Sequence, residues 1–299
     1  MRLRPACPLC GSGEKQELLS LPYDGEHLQK FLQDYYRGRV NFGILANGNY
    51  IIDRCIRCGG MWQREILDVD GMKELYERWI EPEGSREKRK SIERHLQFAR
   101  HCARLLRFFP EPEKTLLLDY GAGWGDWAEA AKVFEFQVHA VELSQERIDV
   151  MREKGIETYL PDNIPNTHYD FIYLEQVLEH IPDPKDLINK LTGMLKEQGY
   201  IHIGVPNGKS LSSQTGNPRQ LLQKGPAQPL EHINIFTRAS LISFMEQFQC
   251  HPAAQREGLL RCSSWKQYFF DSVLALGRLL PPTIFPPGTS LLFQKRSRS

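Results

Sequence analysis

Leu116-Leu117-Leu118-Asp119-Tyr120-Gly121-Ala122-Gly123-Trp124-Gly125 is the stretch on which the fold turns. Its first half, residues 115–120, is an apolar run of strand length, and buried parallel strands read as such unbroken runs. Its second half sets glycines at 121, 123 and 125, and a helical pattern follows over 126–134. Strand, glycine loop and helix start together let backbone N–H groups come close to a ligand, because glycine has no side chain to hold it off. The spacing narrows the choice of ligand. A dinucleotide fingerprint needs Gly-x-Gly-x-x-Gly, and the last of those positions is Asp126. A phosphate loop needs Gly-Lys followed by Ser or Thr, which does not occur here.

Outward from this stretch, apolar runs alternate with amphipathic ones. Residues 136–141 read as a strand that ends at Glu142, where a carboxylate can accept hydrogen bonds from both hydroxyls of a ribose. Residues 169–174 and 199–205 read as further strands, with a helix over 187–195 between them. Strand and helix in alternation predict an α/β fold with a doubly wound, mostly parallel sheet.

The seven cysteines include two tight pairs, Cys7-Pro8-Leu9-Cys10-Gly11 and Cys55-Ile56-Arg57-Cys58-Gly59. An odd number of cysteines without an export signal does not suit a disulfide framework. The spacing lets two thiolates on one turn face one ion, and the glycine lets the backbone bend behind them. Two such turns make a closed site of four sulfurs, so Cys7, Cys10, Cys55 and Cys58 are expected to hold one structural zinc in a small ribbon-like N-terminal module. The 44 residues between the pairs exceed a minimal ribbon and predict a helix of their own over 26–36.

Taken in order, several features resemble class I S-adenosylmethionine-dependent methyltransferases: the Gly-x-Gly-x-Gly loop after Leu118-Asp119, the acid Glu142, the segment Glu175-Gln176-Val177-Leu178-Glu179-His180-Ile181-Pro182-Asp183-Pro184, and the segment Glu231-His232-Ile233-Asn234-Ile235-Phe236-Thr237. The resemblance covers residues 115 to about 250, with 289–296 as the last strand. It implies a seven-stranded sheet and S-adenosylmethionine as cofactor, held by Asp119, Gly121, Gly123, Gly125, Glu142 and Glu175. It also implies an acid after the third strand; Asp162 is the choice, with Asn163 beside it for the adenine amino group. Trp124 either lies against the cofactor or packs on the first helix. The cysteine-rich start is similar to the zinc-binding front end of some bacterial methyltransferases that act on sugars and other small metabolites.

Three zones follow from composition: a zinc-binding module over 1–70, a helical connector over 71–112, and the methyltransferase domain over 113–299 with a helical insertion at 259–288. In the connector, Arg86, Lys88, Arg89, Lys90, Arg94, Arg100, Arg104 and Arg107 accompany an apolar set of Ile92, Leu96, Ala99, Ala103 and Leu106 at helical spacing. The charges then form a solvated face, or one that attracts a phosphorylated substrate or RNA. The apolar stretch 265–280 is expected to be buried, with a lid, a dimer contact or a membrane-surface contact as other roles. Lys and Arg total 38 against 37 for Asp and Glu, which argues against binding nucleic acid by bulk charge. No apolar run reaches the roughly 20 residues of a membrane span. The start lacks the apolar stretch of a signal peptide, so a cytoplasmic location is expected.

Methyl transfer needs donor and acceptor aligned in a dry pocket, and a base only where the acceptor must lose a proton. His180 and His232 lie on loops after strands and are the candidate catalytic residues. His232 is the expected base, and His180 the positioning partner. The favoured reading is methylation of a small molecule such as a sugar or nucleotide-sugar. An RNA methyltransferase docking its substrate through the zinc module is the second reading. A cofactor-binding adaptor without turnover is the third.

Overall fold

The structure, a computed structural model, describes residues 1–80, 91–211, 225–253 and 288–296. In chain order its strands are β1 (Arg2–Leu3), β2 (Lys15–Pro22), β3 (Asn49–Cys55), β4 (Met61–Gln63), β5 (Glu65–Ile66), β6 (Leu116–Tyr120), β7 (Gln137–Val141), β8 (Glu157–Tyr159), β9 (Tyr169–Glu175), β10 (Leu195–Pro206), β11 (Asn234–Ile235), β12 (Cys250–Pro252) and β13 (Gly288–Lys295). They fall into two compact units, each assembled from separate parts of the chain.

One unit comprises residues 95–175, 194–203 and 250–299. It holds a seven-stranded sheet in the order β12-β13-β10-β9-β6-β7-β8. The pairs β6–β7, β6–β9 and β7–β8 are parallel, and β12–β13 is antiparallel. Central strands of a parallel sheet are covered on both faces. That is why Leu117, Leu118, Phe171 and Ile172 are all fully buried. Helix Asp126–Val133 turns Trp127, Ala128 and Ala131 inward. Trp127 stacks on Tyr173 with centroids 4.2 Å apart. Its indole N–H donates to His101 Nδ1 at 2.8 Å. Strand order reverses between β6 and β9, the switch point at which open α/β sheets bind ligands beyond the carboxyl ends of their strands.

Helix Ile92–Leu105 does not bury the face that spacing suggested. Phe98, Cys102 and Leu105 are its buried residues, while Ile92 is 76% and Leu96 49% exposed. The set at 98, 102 and 105 has equal helical spacing and carries the aromatic ring, so burying it removes more apolar area from water. Of the basic cluster, Arg86, Lys88, Arg89 and Lys90 lie outside the described residues, as does the apolar stretch 265–280.

The other unit comprises residues 1–94, 176–193 and 204–249. Its four-stranded sheet runs β11-β4-β3-β2, with β1 paired to β5 beside it. β2, β3, β4 and β11 are all antiparallel to their neighbours. Helix Glu26–Tyr35 lies between the cysteine pairs, as expected. Leu28, Leu32, Tyr36, Tyr50 and Trp79 form its core with Leu211, Ala227, Leu230 and Ile235 from far along the chain. The segment carrying His232 thus continues as β11 on the edge of the cysteine-bearing sheet, with Asn234 opposite Trp62 and Ile235 opposite Met61. Contacts therefore join residues that composition had assigned to different zones.

Candidate functional site

In the sheet unit, the glycine loop leaves β6 with left-handed backbone at Gly121, Gly123 and Gly125. Gly125 has a packing reason as well, because a Cβ there would lie 2.5 Å from Met151 Cγ. Gly123 differs: a Cβ on it meets nothing within 4 Å, so the loop presents bare backbone to open space. At the end of β7, the Glu142 carboxylate is fixed by backbone N–H donors. Gly123 N–H donates to Oε2 at 2.8 Å, and Leu143 and Ser144 N–H donate to Oε1 at 2.9 and 3.1 Å. Arg147 Nη1 stands 3.5 Å from Oε1, and its guanidinium lies 5.5 Å from the Trp124 ring centroid.

Asp119, near the end of β6, is buried, and its Oδ2 has no hydrogen-bond partner. Burial pushes its carboxyl up to about 8, and the charge of Glu142 adds to the effect. Glu175 ends β9 and accepts from His202 Nε2 at 3.1 Å if that nitrogen carries the proton. Asp162 and Asn163 are exposed, in the turn after β8. The charge of Asp162 is felt at Tyr120, where burial first and Asp162 second raise the phenol. Asp119, Gly121, Gly123, Gly125, Glu142, Asp162 and Glu175 thus all sit at or just beyond the carboxyl ends of β6, β7, β8 and β9. Arg147 was not anticipated. An acid at a strand tip with an arginine one helical turn into the next helix is the signal that would have found it.

In the other unit, the two histidines meet. His180 and His232 have ring centroids 5.0 Å apart at 73°. His180 Nδ1 lies 2.9 Å from the Glu231 carbonyl, and His232 Nδ1 lies 2.6 Å from the Gly225 carbonyl. A carbonyl only accepts, so each Nδ1 donates, and in the neutral ring each Nε2 carries the lone pair. Burial, with His232 beside it, pushes His180 down to about 3. The Glu231 carboxylate accepts from Tyr36 Oη at 2.9 Å and from Gln228 Nε2 at 2.6 Å.

The four cysteines of the two pairs converge in the same unit, with all Sγ atoms within 4.8 Å of one another. Cys7 and Cys58 are 3.7 Å apart and Cys10 and Cys55 3.5 Å. Four thiolates on one zinc with bonds of about 2.3 Å sit roughly 3.8 Å apart, so the donor set and its spacing fit that ion. Left to themselves, the thiols share protons. The hydrogen bond between Cys7 and Cys58 raises the first and lowers the second to about 5.

A family profile described as Methyltransferase domain matches residues 92–254. Among curated proteins, the chain is similar to the ubiquinone biosynthesis O-methyltransferase of Shewanella sp. (strain ANA-3), with 25% identity over 143 residues, 44% of this chain and 61% of that protein. A protein of the same name from Vibrio cholerae serotype O1 (strain ATCC 39541 / Classical Ogawa 395 / O395) is 26% identical over 156 residues, 48% of this chain and 62% of its own length. The chain spans about three fifths of the length of the curated relatives it matches. Among solved structures, the plantazolicin methyltransferase BamL, crystallised with a triazolic desmethylPZN analog and SAH, superposes with a TM-score of 0.52 at 14% identity, covering 72% of this chain and 90% of that one. That last likeness is one of fold.

Proposed function

We propose that this chain, which belongs to the methyltransferase-domain family, transfers the methyl group of S-adenosylmethionine to a hydroxyl of a small-molecule acceptor. The observation that carries the reading is the Glu142 carboxylate held against the Gly123 N–H beside the sheet's switch point. Two further features fit the same cofactor. Gly123 offers backbone with open space before it, and the buried Asp119 Oδ2 has a lone pair to offer a donor.

When bound, the cofactor supplies the methyl group and its own leaving group. The protein's part is alignment. Glu142, oriented by three backbone N–H groups with Arg147 beside it, keeps a lone pair on Oε2 for a ribose hydroxyl. The glycine loop lets the ligand lie on backbone. Glu175, beyond β9, and the turn at Asp162 and Asn163 complete the cofactor set. His232, with His180 beside it, is assigned to the acceptor hydroxyl. Cys7, Cys10, Cys55 and Cys58 are assigned one structural zinc. The relatives named as O-methyltransferases support an oxygen acceptor on a small molecule, and sugars and nucleotide-sugars are among the candidates.

Calorimetry and a labelled-donor screen test the reading. Glu142→Ala is expected to weaken S-adenosylmethionine binding roughly 10-fold or more, because hydrogen bonds to a charged group contribute about 1.5–3 kcal/mol each. Gly123→Val puts a branched side chain where the ligand meets backbone and should act in the same direction. Methyl transfer to hydroxyl-bearing metabolites is expected, and not to bulk RNA. Unchanged affinity in both folded variants would place the cofactor elsewhere. Transfer to RNA alone would replace the acceptor class.

A further inference from the structure

We propose that Glu179, His180 and His232 form a second metal site, an open one that takes a divalent transition metal such as zinc. One carboxylate oxygen and one ring nitrogen from each histidine lie within 4.8 Å of one another. His180 Nε2 stands 4.0 Å from Glu179 Oε1. Both rings are already set as metal ligands are set. Each donates Nδ1–H to a backbone carbonyl, Glu231 for His180 and Gly225 for His232, which fixes the ring and puts the lone pair on Nε2. The Glu179 carboxylate is 1% exposed, and a buried carboxylate is stabilised by an adjacent cation.

The loops that bring the three side chains together are held by a buried polar cluster. Asn234 Nδ2 donates to the carbonyls of Leu178 and Ile181, which bracket Glu179 and His180. Gln63 Nε2 donates to the His232 carbonyl. The Arg4 guanidinium joins Gln63, Ile233 and Asn234. Such support keeps donors in place before an ion arrives, and sites built this way lose little on binding.

The donor set separates this site from the four cysteines. Four thiolates close a tetrahedron around structural zinc, whereas two imidazoles and a carboxylate leave a position for water or substrate. Nitrogen and oxygen donors suit zinc, manganese or iron(II). At this site His232 is a ligand, rather than the proton acceptor of the reading above.

Metal content of the full chain decides the matter without any turnover. After dialysis against zinc and removal of loose ion, the wild type is expected to keep about two zinc ions per chain, one for each donor set. His180→Ala, His232→Ala and the isosteric Glu179→Gln should each keep about one, with affinity for the second lowered by at least the 10–100-fold typical of even an outer-shell loss. Cobalt(II) in place of zinc reports the thiolate set through its sulfur-to-cobalt absorption, which should persist in all three variants and certify their fold. A wild type that holds one zinc, with cobalt at the thiolates alone, overturns the proposal. So does a second zinc that survives all three substitutions. Titration with S-adenosylmethionine is a separate readout. A second zinc without cofactor affinity would sink the methyl-transfer reading and leave the metal site standing.

Discussion

Asp119 has its carboxyl buried near the end of β6, and the charge of Glu142 acts on it from close by. Both conditions favour the protonated acid, at about 8 in the folded chain against about 3.9 in an unfolded one. The folded state therefore binds more protons than the unfolded state between those values. The stability tied to protonated Asp119 is full below about pH 4 and lost as the pH rises through about 8. We expect urea midpoints of the wild type to fall from pH 5 to pH 8 more steeply than those of Asp119→Asn, which keeps the shape and cannot ionise. Parallel pH profiles for the two proteins would show that Asp119 is ionised throughout. A bound cofactor that donates to Oδ2 would favour the carboxylate, so saturation should flatten the wild-type profile.

At the scale of single elements, the strands around the glycine loop were legible because their chemistry is local. Unbroken apolar runs, glycines at alternate positions and an acid at a strand tip each state one fact about one stretch of chain. Pairs of cysteines three positions apart in the numbering are equally local. What could not be read was any choice settled by a distant partner. Helix Ile92–Leu105 offers two faces at helical spacing, and only the sheet decides that Phe98, Cys102 and Leu105 go in. The strand pairing of Asn234–Ile235 with Met61 and Trp62 joins segments about 170 positions apart, and no periodicity signals it. The convergence of His180 with His232, likewise, depends on two loops that the sequence keeps far apart. The helix supplies a direct test. Phe98→Ala should cost about 3–5 kcal/mol in denaturant unfolding, the usual loss for a buried ring, and Ile92→Ala less than about 0.5 kcal/mol. A reversed order would restore the face that spacing suggested.

At the scale of the whole chain, neither compact unit is a continuous segment. The chain passes from one to the other after residues 94, 175, 193, 203 and 249. The unit bearing the cysteines draws Leu211, Ala227, Leu230 and Ile235 into its core and takes its edge strand β11 from residues 234–235. Its first 70 residues, taken alone, would expose the faces of Tyr36, Tyr50 and Trp62 that these later segments meet, and would lose the hydrogen bonds that Gln63 makes to Gln228, His232 and Ile233. Zinc supplies folding free energy of its own, about 10–16 kcal/mol in small zinc peptides, so the metal alone is a real competitor to the missing packing. The local cysteine turns need only their own residues, whereas the sheet needs its fourth strand and its core. A fragment of residues 1–70 is therefore expected to bind zinc at its four thiols yet to show poor chemical-shift dispersion outside those turns, where the intact chain is ordered. Uniform dispersion across β2, β3 and β4 in the fragment would mean that the metal, and not the packing of residues 204–249, holds this unit together.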